Sequence, residues 1–426
     1  MTATAVDDRS LIAHTGFWYF PIAFLARLPF AMMVVGVLTL VVSVRGSVAL
    51  GGLTSAAVGI GTVIAGPIVG DAVDRLGQRR VLVPLGLVNG VLLIAFPLVA
   101  SSDLFDAVLL AAAFLIGLSA PQAAAMSRSR MMTIIRDRLS PHRRARTLSR
   151  SMAYESAADE TAFVIGPVVV GILAAFIAPW MPIAAAAVLS LVFVTAFALH
   201  PTARVHLAAD AEPVEMAPAR DLLRAPVLVL VAATFAVGMF FGATLTSLTA
   251  FMSERDDVDA ASLMYGVMGI GSAVLALAVA LLPTRFALRW RWMLFAGVLA
   301  AATLGFTVSD SVSGVTVMLV LMGLGIGPTL VTLYSLAGAR SPVGRSATIM
   351  TVLGSAIALS QSLAAAGTGA LAEAFGARTA MVLPLIAALV VVGLGVQNLV
   401  IERRARFASE RRVDAPRGVE CPHPVG

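Results

Sequence analysis

Residues 70–80 read Gly70-Asp71-Ala72-Val73-Asp74-Arg75-Leu76-Gly77-Gln78-Arg79-Arg80. Long apolar runs, 48–71 and 80–100, flank this charged stretch. A run of about 20 apolar residues is long enough to cross the hydrocarbon core of a bilayer as a helix. The stretch is therefore typical of a short polar turn between two membrane-spanning helices, and the same alternation continues along the chain.

The composition of the whole chain is typical of a membrane protein. Of its 426 residues, 59% are hydrophobic and 13% are charged, whereas a soluble domain has about 25% charged residues. A soluble fold could not cover so much apolar surface. The one cysteine, Cys421, permits no internal disulfide, and the sequence contains no spacing of residues typical of a metal site. We therefore expect neither a metal nor a cofactor.

Twelve apolar runs bounded by charged and turn residues predict twelve transmembrane helices. The first six are expected at 18–43, 48–71, 80–100, 104–127, 152–177 and 180–200. The second six are expected at 226–251, 261–283, 291–308, 314–337, 346–372 and 377–400. The predicted fold is an all-α integral membrane protein with about 12 transmembrane helices in two six-helix halves.

The arginines predict the orientation of these helices. All 30 basic residues are arginine. With the N-terminus in the cytoplasm, the outer loops contain Arg45, Arg255 and Arg378, and the first span contains Arg27. All the other arginines then fall on cytoplasmic segments. Because basic residues accumulate in cytoplasmic loops, both termini are expected in the cytoplasm and the protein in the plasma (inner) membrane. The net charge of +6 then serves contact with anionic lipid rather than with nucleic acid.

A polar stretch divides the chain into two similar parts. The sequence predicts an N-terminal six-helix bundle over 1–200, a cytoplasmic linker over 201–225, a C-terminal six-helix bundle over 226–400 and a disordered cytoplasmic tail over 401–426. Short pairs recur at similar offsets in the two parts, for example Gly117-Leu118 and Gly323-Leu324. Two similar halves with a site between them are typical of a transporter, and a single chain is then sufficient for function.

The stretch at 70–80 resembles the loop signature of the major facilitator superfamily. The matching positions are Gly70, Asp74, Arg75, Gly77 and Arg79, whereas Gln78 stands where the family often has a base. The resemblance implies a twelve-helix transporter in which Asp74 and its arginine partners latch the two halves at the cytoplasmic face when the carrier opens outward. The alternative is an ordinary turn whose positive charge lies on the cytoplasmic side, and for Arg80 alone this alternative is favoured. The corresponding stretch of the second half, 283–289, has lost the acid and the glycine.

The fifth predicted span contains Gly166-Pro167-Val168-Val169-Val170-Gly171. This stretch resembles the Gly-Pro motif of the drug/proton antiporter branch of the same superfamily, with the usual glycine pair reduced to Gly171. The resemblance implies export. The alternative is an ordinary kinked helix, because proline removes a backbone donor and glycines permit close approach of a neighbouring helix.

Charged residues also lie inside the predicted spans. Arg27 falls within the first span, and Glu155, Asp159 and Glu160 fall near the start of the fifth. A charge inside the membrane is costly unless it is paired, so we expect Arg27 to pair with these acids. One arginine cannot neutralise three carboxylates, which favours Asp159 or Glu160, and less so Glu155, as a proton carrier. The alternative is a network of salt bridges that only fixes helix packing.

Four uncharged polar residues inside the spans are candidates for lining a cavity: Asn89, Gln122, Tyr334 and Gln361. A single interhelical hydrogen bond is the commoner use of such residues. Arg128 and Arg130, at the end of the fourth span, are expected to be interface anchors; the alternative is contact with an anionic substrate, if a cavity reaches them from the inside. The arginines between 136 and 144 are expected to rest on lipid headgroups in a cytoplasmic connection.

Together these features predict a secondary active transporter and not an enzyme. The chain has no lysine and therefore no phosphate-binding loop of the Gly-rich type that ends in Lys. The first hypothesis is proton-coupled efflux of small hydrophobic or amphipathic compounds by alternating access. The alternatives are an importer or metabolite/anion carrier of the same fold, and a non-transporting membrane receptor or assembly factor. The expected partners are a small-molecule substrate, protons and membrane lipids.

Overall fold

A computed structural model describes residues 11–46, 48–102, 104–203, 216–255, 258–283 and 285–413. All regular secondary structure within these ranges is helical. Eleven helical stretches are long and apolar enough to cross a membrane, and a shorter apolar helix, Met264–Ala278, lies where the eighth span is predicted. The prediction of an all-α membrane fold with about twelve helices is confirmed.

Six spans form the first half. They consist of Tyr19–Leu25 with Leu28–Arg45, Val48–Leu76, Gln78–Ser101, Asp106–Leu118 with Ala123–Arg138, Pro141–Phe176, and Met181–Leu189 with Ser190–Val194 and Thr195–Leu199. The third span shows how an apolar sequence forms a helix with one face against protein and the other exposed. Leu82, Leu93 and Phe96 are buried against neighbouring helices, whereas Val91 and Leu98 on the opposite face are exposed. Apolar residues all around a helix suit a span that faces protein on one side and lipid on the other.

The second half repeats this arrangement. Its six spans are Ala225–Ser253, Val258–Ala278, Leu288–Val308, Val312–Arg340, Ser346–Phe375, and Ala377–Ala380 with Val382–Val413. Short helices at Leu11–Thr15, Ala219–Leu223 and Val279–Leu281 lie outside these spans. The twelfth span continues to Val413, so the tail that was expected to be disordered begins as helix. Most of the linker, 204–215, and the chain end with Cys421 lie outside the described residues.

The fourth and fifth spans are longer than predicted. The arginine-rich segment that was expected to be a connection between spans is helical, and only Leu139 and Ser140 separate Ala123–Arg138 from Pro141–Phe176. Arginine is a good helix former, and proline is favoured at the first position of a helix. Hydropathy marks only the part of a helix that lies in lipid, so it missed these extensions.

The fourth span is interrupted between Leu118 and Ala123. Asn89 of the third span donates to the carbonyl of Ile116 at 3.0 Å and to Ser119 at 3.3 Å. It also accepts from Ser190 of the sixth span at 3.3 Å. Pro121 has no backbone N–H to donate, and the bond from Asn89 satisfies the carbonyl of Ile116 at this interruption.

The two halves pack along a seam in which the contact between the second and eleventh spans is the most extensive. Glycines allow this close approach, because a Cβ on Gly70 would lie 2.8 Å from the Cα of Thr348, and one on Gly66 would collide with Ser355. The fifth span contacts the eighth and tenth, and the second segment of the fourth contacts the eleventh. Residues from both halves therefore meet where the fourth and fifth spans contact the tenth and eleventh.

Candidate functional site

A cluster of buried charges lies in the first half. Arg27 is one of two residues in a short turn between Tyr19–Leu25 and Leu28–Arg45, and its residue surface is 4% exposed. Its guanidinium forms a salt bridge with Glu155, which is fully buried. The same guanidinium donates to the Glu155 carbonyl at 3.4 Å. The structure thus brings together an arginine and an acid that lie 128 positions apart in sequence.

Glu155 has hydrogen-bonding partners on both carboxylate oxygens. One oxygen bonds to Arg27, and the other accepts from Ser127 at 2.7 Å. The Ser127 hydroxyl lies 2.8 Å from the hydroxyl of Tyr19, which is also fully buried. A carboxylate with a cation and a hydroxyl donor is well satisfied as an anion.

Asp159 lies one helical turn further along the fifth span, on the same face as Glu155. One of its oxygens is 3.4 Å from Arg27, and the other forms a salt bridge with Arg128. Its side chain is 21% exposed, unlike that of Glu155. Two arginines therefore face two carboxylates in the described part of this cluster, and the side chain of Glu160 lies outside the described residues.

Arg128 connects this cluster to the second half. It is 4% exposed, so the expectation of an interface anchor is wrong. Its guanidinium lies 4.0 Å from the centre of the Tyr334 ring, which belongs to the tenth span and is 5% exposed. Among the described residues, the Nε atoms of Arg27 and Arg128 are buried and have no hydrogen-bond acceptor. The cluster thus lies where the two halves meet.

Arg130 is also buried, which again contradicts an interface anchor, but it has neutral partners. It donates to Gln78 at 2.6 and 2.8 Å, to the carbonyl of Phe197 at 2.9 Å and to Thr202 at 3.1 Å. Together with burial, its charge holds the pKa of nearby His200, just beyond the sixth span, below the usual range. These contacts tie the third, fourth and sixth spans together.

Asp74 caps the start of the eleventh span. Its carboxylate accepts from the backbone amide of Ala347 at 2.9 Å, and from the amide and hydroxyl of Thr348 at 2.7 Å each. A carboxylate at a helix N-terminus satisfies free amides and complements the helix dipole. We call this end of the bundle, where Asp74 meets Ala347 and Thr348, the Asp74 end.

Two arginines at the Asp74 end contact Asp71. Asp71 lies 2.6 Å from Arg75 on its own helix and 2.5 Å from Arg345 in the second half. Arg345 also donates to the carbonyl of Ala217 in the linker, at 2.8 Å. Sequence reasoning missed Asp71 and Arg345. The only available signal was that Asp71 precedes Asp74 by three residues and so shares its helix face.

The other motif positions have simpler roles in the fold. Gly77 has a φ of +84°, which glycine adopts without strain, and it separates the second helix from the third. Arg79 and Arg80 line a surface groove with Val83 and Leu199 and lie away from the seam. Two further polar contacts cross the seam at the Asp74 end, namely Ser129–Ser346 at 2.9 Å and Arg291–Ser149 at 3.2 Å.

The Gly-Pro motif lies in a continuous helix, Pro141–Phe176. Gly166 packs against the first span, because a Cβ there would be 2.8 Å from the Cβ of Ala31. Gly171 is exposed, and a Cβ placed on it would have no neighbouring atom within 4 Å. The side chain of Pro167 lies outside the described residues. Close helix packing in this motif therefore rests on Gly166.

The four residues that were predicted to line a cavity have different surroundings. Asn89 is fully buried and engaged at the interruption of the fourth span. Gln122 precedes the second segment of that span, and its buried Nε2 has no partner among the described residues. Gln361 is half-buried, and its backbone packs against Gly242 of the seventh span. Of the four, Tyr334 alone contacts the described part of the charge cluster.

Comparison with known proteins identifies similar sequences and structures. The sequence profile of the Major Facilitator Superfamily matches residues 19–365. No curated protein matches the chain significantly. The structure of the human organic anion transporter MFSD10 (TETRAN) is similar, with a TM-score of 0.71, 17% identity and coverage of 91% of this chain and 100% of that one.

Two other solved structures are also similar. One is a bacterial homologue of the iron transporter ferroportin in an outward-facing state, with a TM-score of 0.72, 15% identity and coverage of 89% of this chain and 98% of that one. The other is the E. coli fucose:proton symporter FucP, with a TM-score of 0.60, 14% identity and the same coverage of the two chains. At these identities the similarity shows the fold alone.

Proposed function

The chain belongs to the Major Facilitator Superfamily, and we propose that it is a proton-coupled secondary transporter that exports small hydrophobic or amphipathic compounds by alternating access. The observation that carries this proposal is the position of Asp159 between Arg27 and Arg128, beside a residue of the second half. Such a carboxylate changes the charge of the contact between the halves when it binds a proton. The protein is proposed to function as a monomer, with bundles over 1–200 and 226–400.

Asp159 is the best candidate for the proton-carrying group. Glu155 is fully buried and bonded on both oxygens, whereas Asp159 keeps 21% of its side chain exposed. Among the described residues, the groups that face Asp159 are Arg27, Arg128, Tyr154 and Tyr334, and Glu155 lies one turn away on the same helix face. A proton can therefore reach Asp159 more readily than Glu155. The side chain of Glu160, the other candidate, is not described.

Protonation of Asp159 has a direct consequence for the charge balance. It leaves two arginines facing only one charged carboxylate among the described residues. A buried arginine without a counter-charge costs several kcal/mol unless water reaches it. The protonated cluster therefore favours opening of the seam, and release of the proton favours closure.

The contacts at the Asp74 end support the proposal that the seam closes when Asp159 releases its proton. Asp74, Asp71 and Arg345 join the halves there, which corresponds to the latch that the loop signature implies. The distribution of arginines favours a cytoplasmic location for this end, with both termini in the cytoplasm and the protein in the plasma (inner) membrane. With the Asp74 end closed, we assign the structure to an outward-facing state.

Export is supported by the fifth-span motif. Its resemblance to the drug/proton antiporter branch implies that substrate leaves while protons enter. Gly166 gives this motif a physical role, because it brings the fifth span, which carries Asp159, into close contact with Ala31 of the first span, which carries Arg27. The spacing between the arginine and the carboxylate thus depends on the motif.

A second candidate function is uptake of an organic anion together with protons. It is favoured by the buried Nε atoms of Arg27 and Arg128, which lack acceptors among the described residues, and a similar structure is that of an organic anion transporter. An anion bound beside these arginines would favour protonation of Asp159 by linkage. Anion and proton would then move in the same direction, and an inward proton gradient would drive import.

The sign of the proton exchange distinguishes the two candidates. Compounds that raise the melting temperature of the purified protein are first selected from a broad panel, since a ligand of the folded state stabilises it. Each is then added to the protein in weak buffer, and the pH change is recorded. Release of protons indicates competition between substrate and proton, as export by antiport requires. Uptake of protons indicates the anion carrier.

Variants test the assignment of the proton site. Asp159→Asn should abolish the proton exchange and the dependence of flux on a pH gradient in proteoliposomes. Arg136→Gln, which removes an exposed arginine of the same helix that carries Arg128, is the matched control and should leave both unchanged. Transport by Asp159→Asn with the pH dependence of the wild type would refute the role of Asp159.

A further inference from the structure

We propose that Tyr334 is a positioning residue that transmits the protonation state of Asp159 to the second half of the protein through Arg128. The contacts run from Asp159 of the fifth span to Arg128 of the fourth and on to Tyr334 of the tenth. This inference rests on the proposed use of Asp159 as the proton site. It adds the route by which a charge change in one half alters the contact between the two halves.

Arg128 is held between two different partners. The Asp159 carboxylate of its own half forms a salt bridge with the guanidinium, and the centre of the Tyr334 ring lies 4.0 Å from the guanidinium carbon. Both Arg128 and Tyr334 are at least nine-tenths buried. An arginine over an aromatic face is attracted by the ring, and the attraction is stronger where water is excluded.

The surroundings of Tyr334 show that this face of the tenth span belongs to the seam. One helical turn further on, Gly338 lies close to Met132 of the fourth span and Leu148 of the fifth. In the fourth span, the residue after Arg128 is Ser129, which contacts Ser346 across the seam at 2.9 Å. Separation of the halves at the Asp74 end therefore pulls the ring away from the guanidinium.

The ring changes the effect of the proton. While Asp159 is charged, Arg128 has a counter-ion and the ring keeps water from it. When Asp159 is protonated, the ring alone does not compensate the charge, and hydration of Arg128 requires the halves to separate. The other charged groups described around Asp159 are Arg27 and Glu155, which belong to the first half and do not cross the seam. Tyr334 thus makes the closed seam sensitive to pH.

The test measures how pH alters access to the seam. Ser346 is 7% exposed, so a thiol introduced by Ser346→Cys reacts with a water-soluble maleimide mainly when the Asp74 end opens. The native cysteine is removed by Cys421→Ser, which leaves one thiol in the chain. Labelling rates are measured from acidic to neutral pH and divided by the rate for the denatured protein at the same pH, which corrects for thiol ionisation.

Two substitutions of Tyr334 separate the ring from the hydroxyl. With Tyr334 intact, acidification should speed the corrected labelling by about tenfold, within the usual range of coupling between sites. Tyr334→Phe keeps the ring and should retain this response within about twofold, whereas Tyr334→Leu should reduce the response to less than about twofold. A full response in Tyr334→Leu, or its loss in Tyr334→Phe, overturns the proposal.

Two further variants keep the result interpretable. Asp159→Asn should abolish the response whatever residue stands at position 334. A full response in Asp159→Asn therefore contradicts the proton site itself, whereas a full response in Tyr334→Leu alone contradicts only the route through Tyr334. If Tyr334→Leu does not fold, Tyr334→Met supplies a flexible apolar side chain without a ring, and the same outcomes apply.

Discussion

The carboxylate of Asp74 accepts a hydrogen bond of 2.7 Å from the backbone amide of Thr348. The end of the second span therefore caps the start of the eleventh, although the two residues are 274 positions apart. Because the cap is made between the halves, it exists only while the Asp74 end is closed. Its free energy then contributes to the balance between the two states of the carrier.

Asp74→Ala is expected to shift this balance towards opening of the Asp74 end. Loss of a helix cap costs about 0.5–2 kcal/mol, which corresponds to a change of roughly two- to thirty-fold in the populations. Distances between spin labels on the second and eleventh spans would measure the shift. Asp74→Asn keeps an acceptor and should have a smaller effect. Equal distance distributions in Asp74→Ala and the wild type would exclude a latch at this position.

The two arginine partners of Asp71 should differ in their effect on the same equilibrium. Arg345 contacts Asp71 across the seam, whereas Arg75 is largely exposed and lies on the same helix as Asp71. A double-mutant cycle of Asp71→Asn with Arg345→Gln should give a coupling of up to about 1 kcal/mol in the equilibrium between open and closed states. The cycle with Arg75→Gln is the control and should give none.

Glu155→Gln and Asp159→Asn should separate stability from proton coupling. Removing the Glu155 charge takes from Arg27 its closest counter-ion in a fully buried contact, and breaking such a pair costs about 3–5 kcal/mol. The melting temperature in detergent should therefore fall clearly. Asp159→Asn should lower it less while removing the dependence of transport on pH. If Asp159→Asn lowers the melting temperature more than Glu155→Gln does, Asp159 and not Glu155 is the residue of the two that contributes more to stability.

The two glycines of the fifth-span motif offer a matched comparison. Gly166→Ala places a methyl group 2.8 Å from the Cβ of Ala31 and should cost about 1–3 kcal/mol, because the helices must move apart. Gly171→Ala meets no neighbouring atom and should be neutral or stabilise the helix by about 0.5–1 kcal/mol. Thermal unfolding of the two variants would measure the difference. Equal losses would mean that the motif does not act through packing on the first span.

His200 should add a small acid sensitivity to the fold. Its pKa is lowered in the folded state by burial and by Arg130. Its contribution to stability is therefore complete above the usual histidine pKa of about 6.5, and it is lost as the pH falls through that value towards the lowered one. His200→Gln should reduce the loss of melting temperature between neutral and mildly acidic pH. His142→Gln, on the exposed start of the fifth span, is the control.

The sequence was sufficient for the number and positions of the spans, because hydropathy reports contact with lipid. It also indicated that Arg27 and the acids of the fifth span belong together, since a lone charge in the membrane is too costly. The burial of Arg128 was not predicted, because this residue lies near the end of an apolar run, where an arginine usually points to the interface. Its burial depends on the extension of the fourth span to Arg138, which hydropathy does not reveal.

The contacts across the seam could not be predicted from one sequence. Nothing near Arg345 indicates that its partner is Asp71, because the two lie on different halves. The loop signature pointed to Asp74 with arginine partners, whereas among the described contacts Asp74 bonds to a helix start and Asp71 bonds to Arg75 and Arg345. Sequence patterns identify which residue types are needed at a helix end. Which of two neighbouring acids faces which partner is decided by helix rotation and packing.

The connection of only Leu139 and Ser140 between the fourth and fifth spans limits how the charge cluster can respond. Arg144 fixes this turn by donating to the carbonyl of Leu139 at 2.9 Å. The two helices that carry Arg128 and Asp159 are therefore expected to travel as one rigid body. Protonation of Asp159 then breaks their ion pair by local rotation of side chains, and not by displacement of the helices. A pH jump should thus show a fast local phase that precedes the microsecond-to-millisecond motion of the halves.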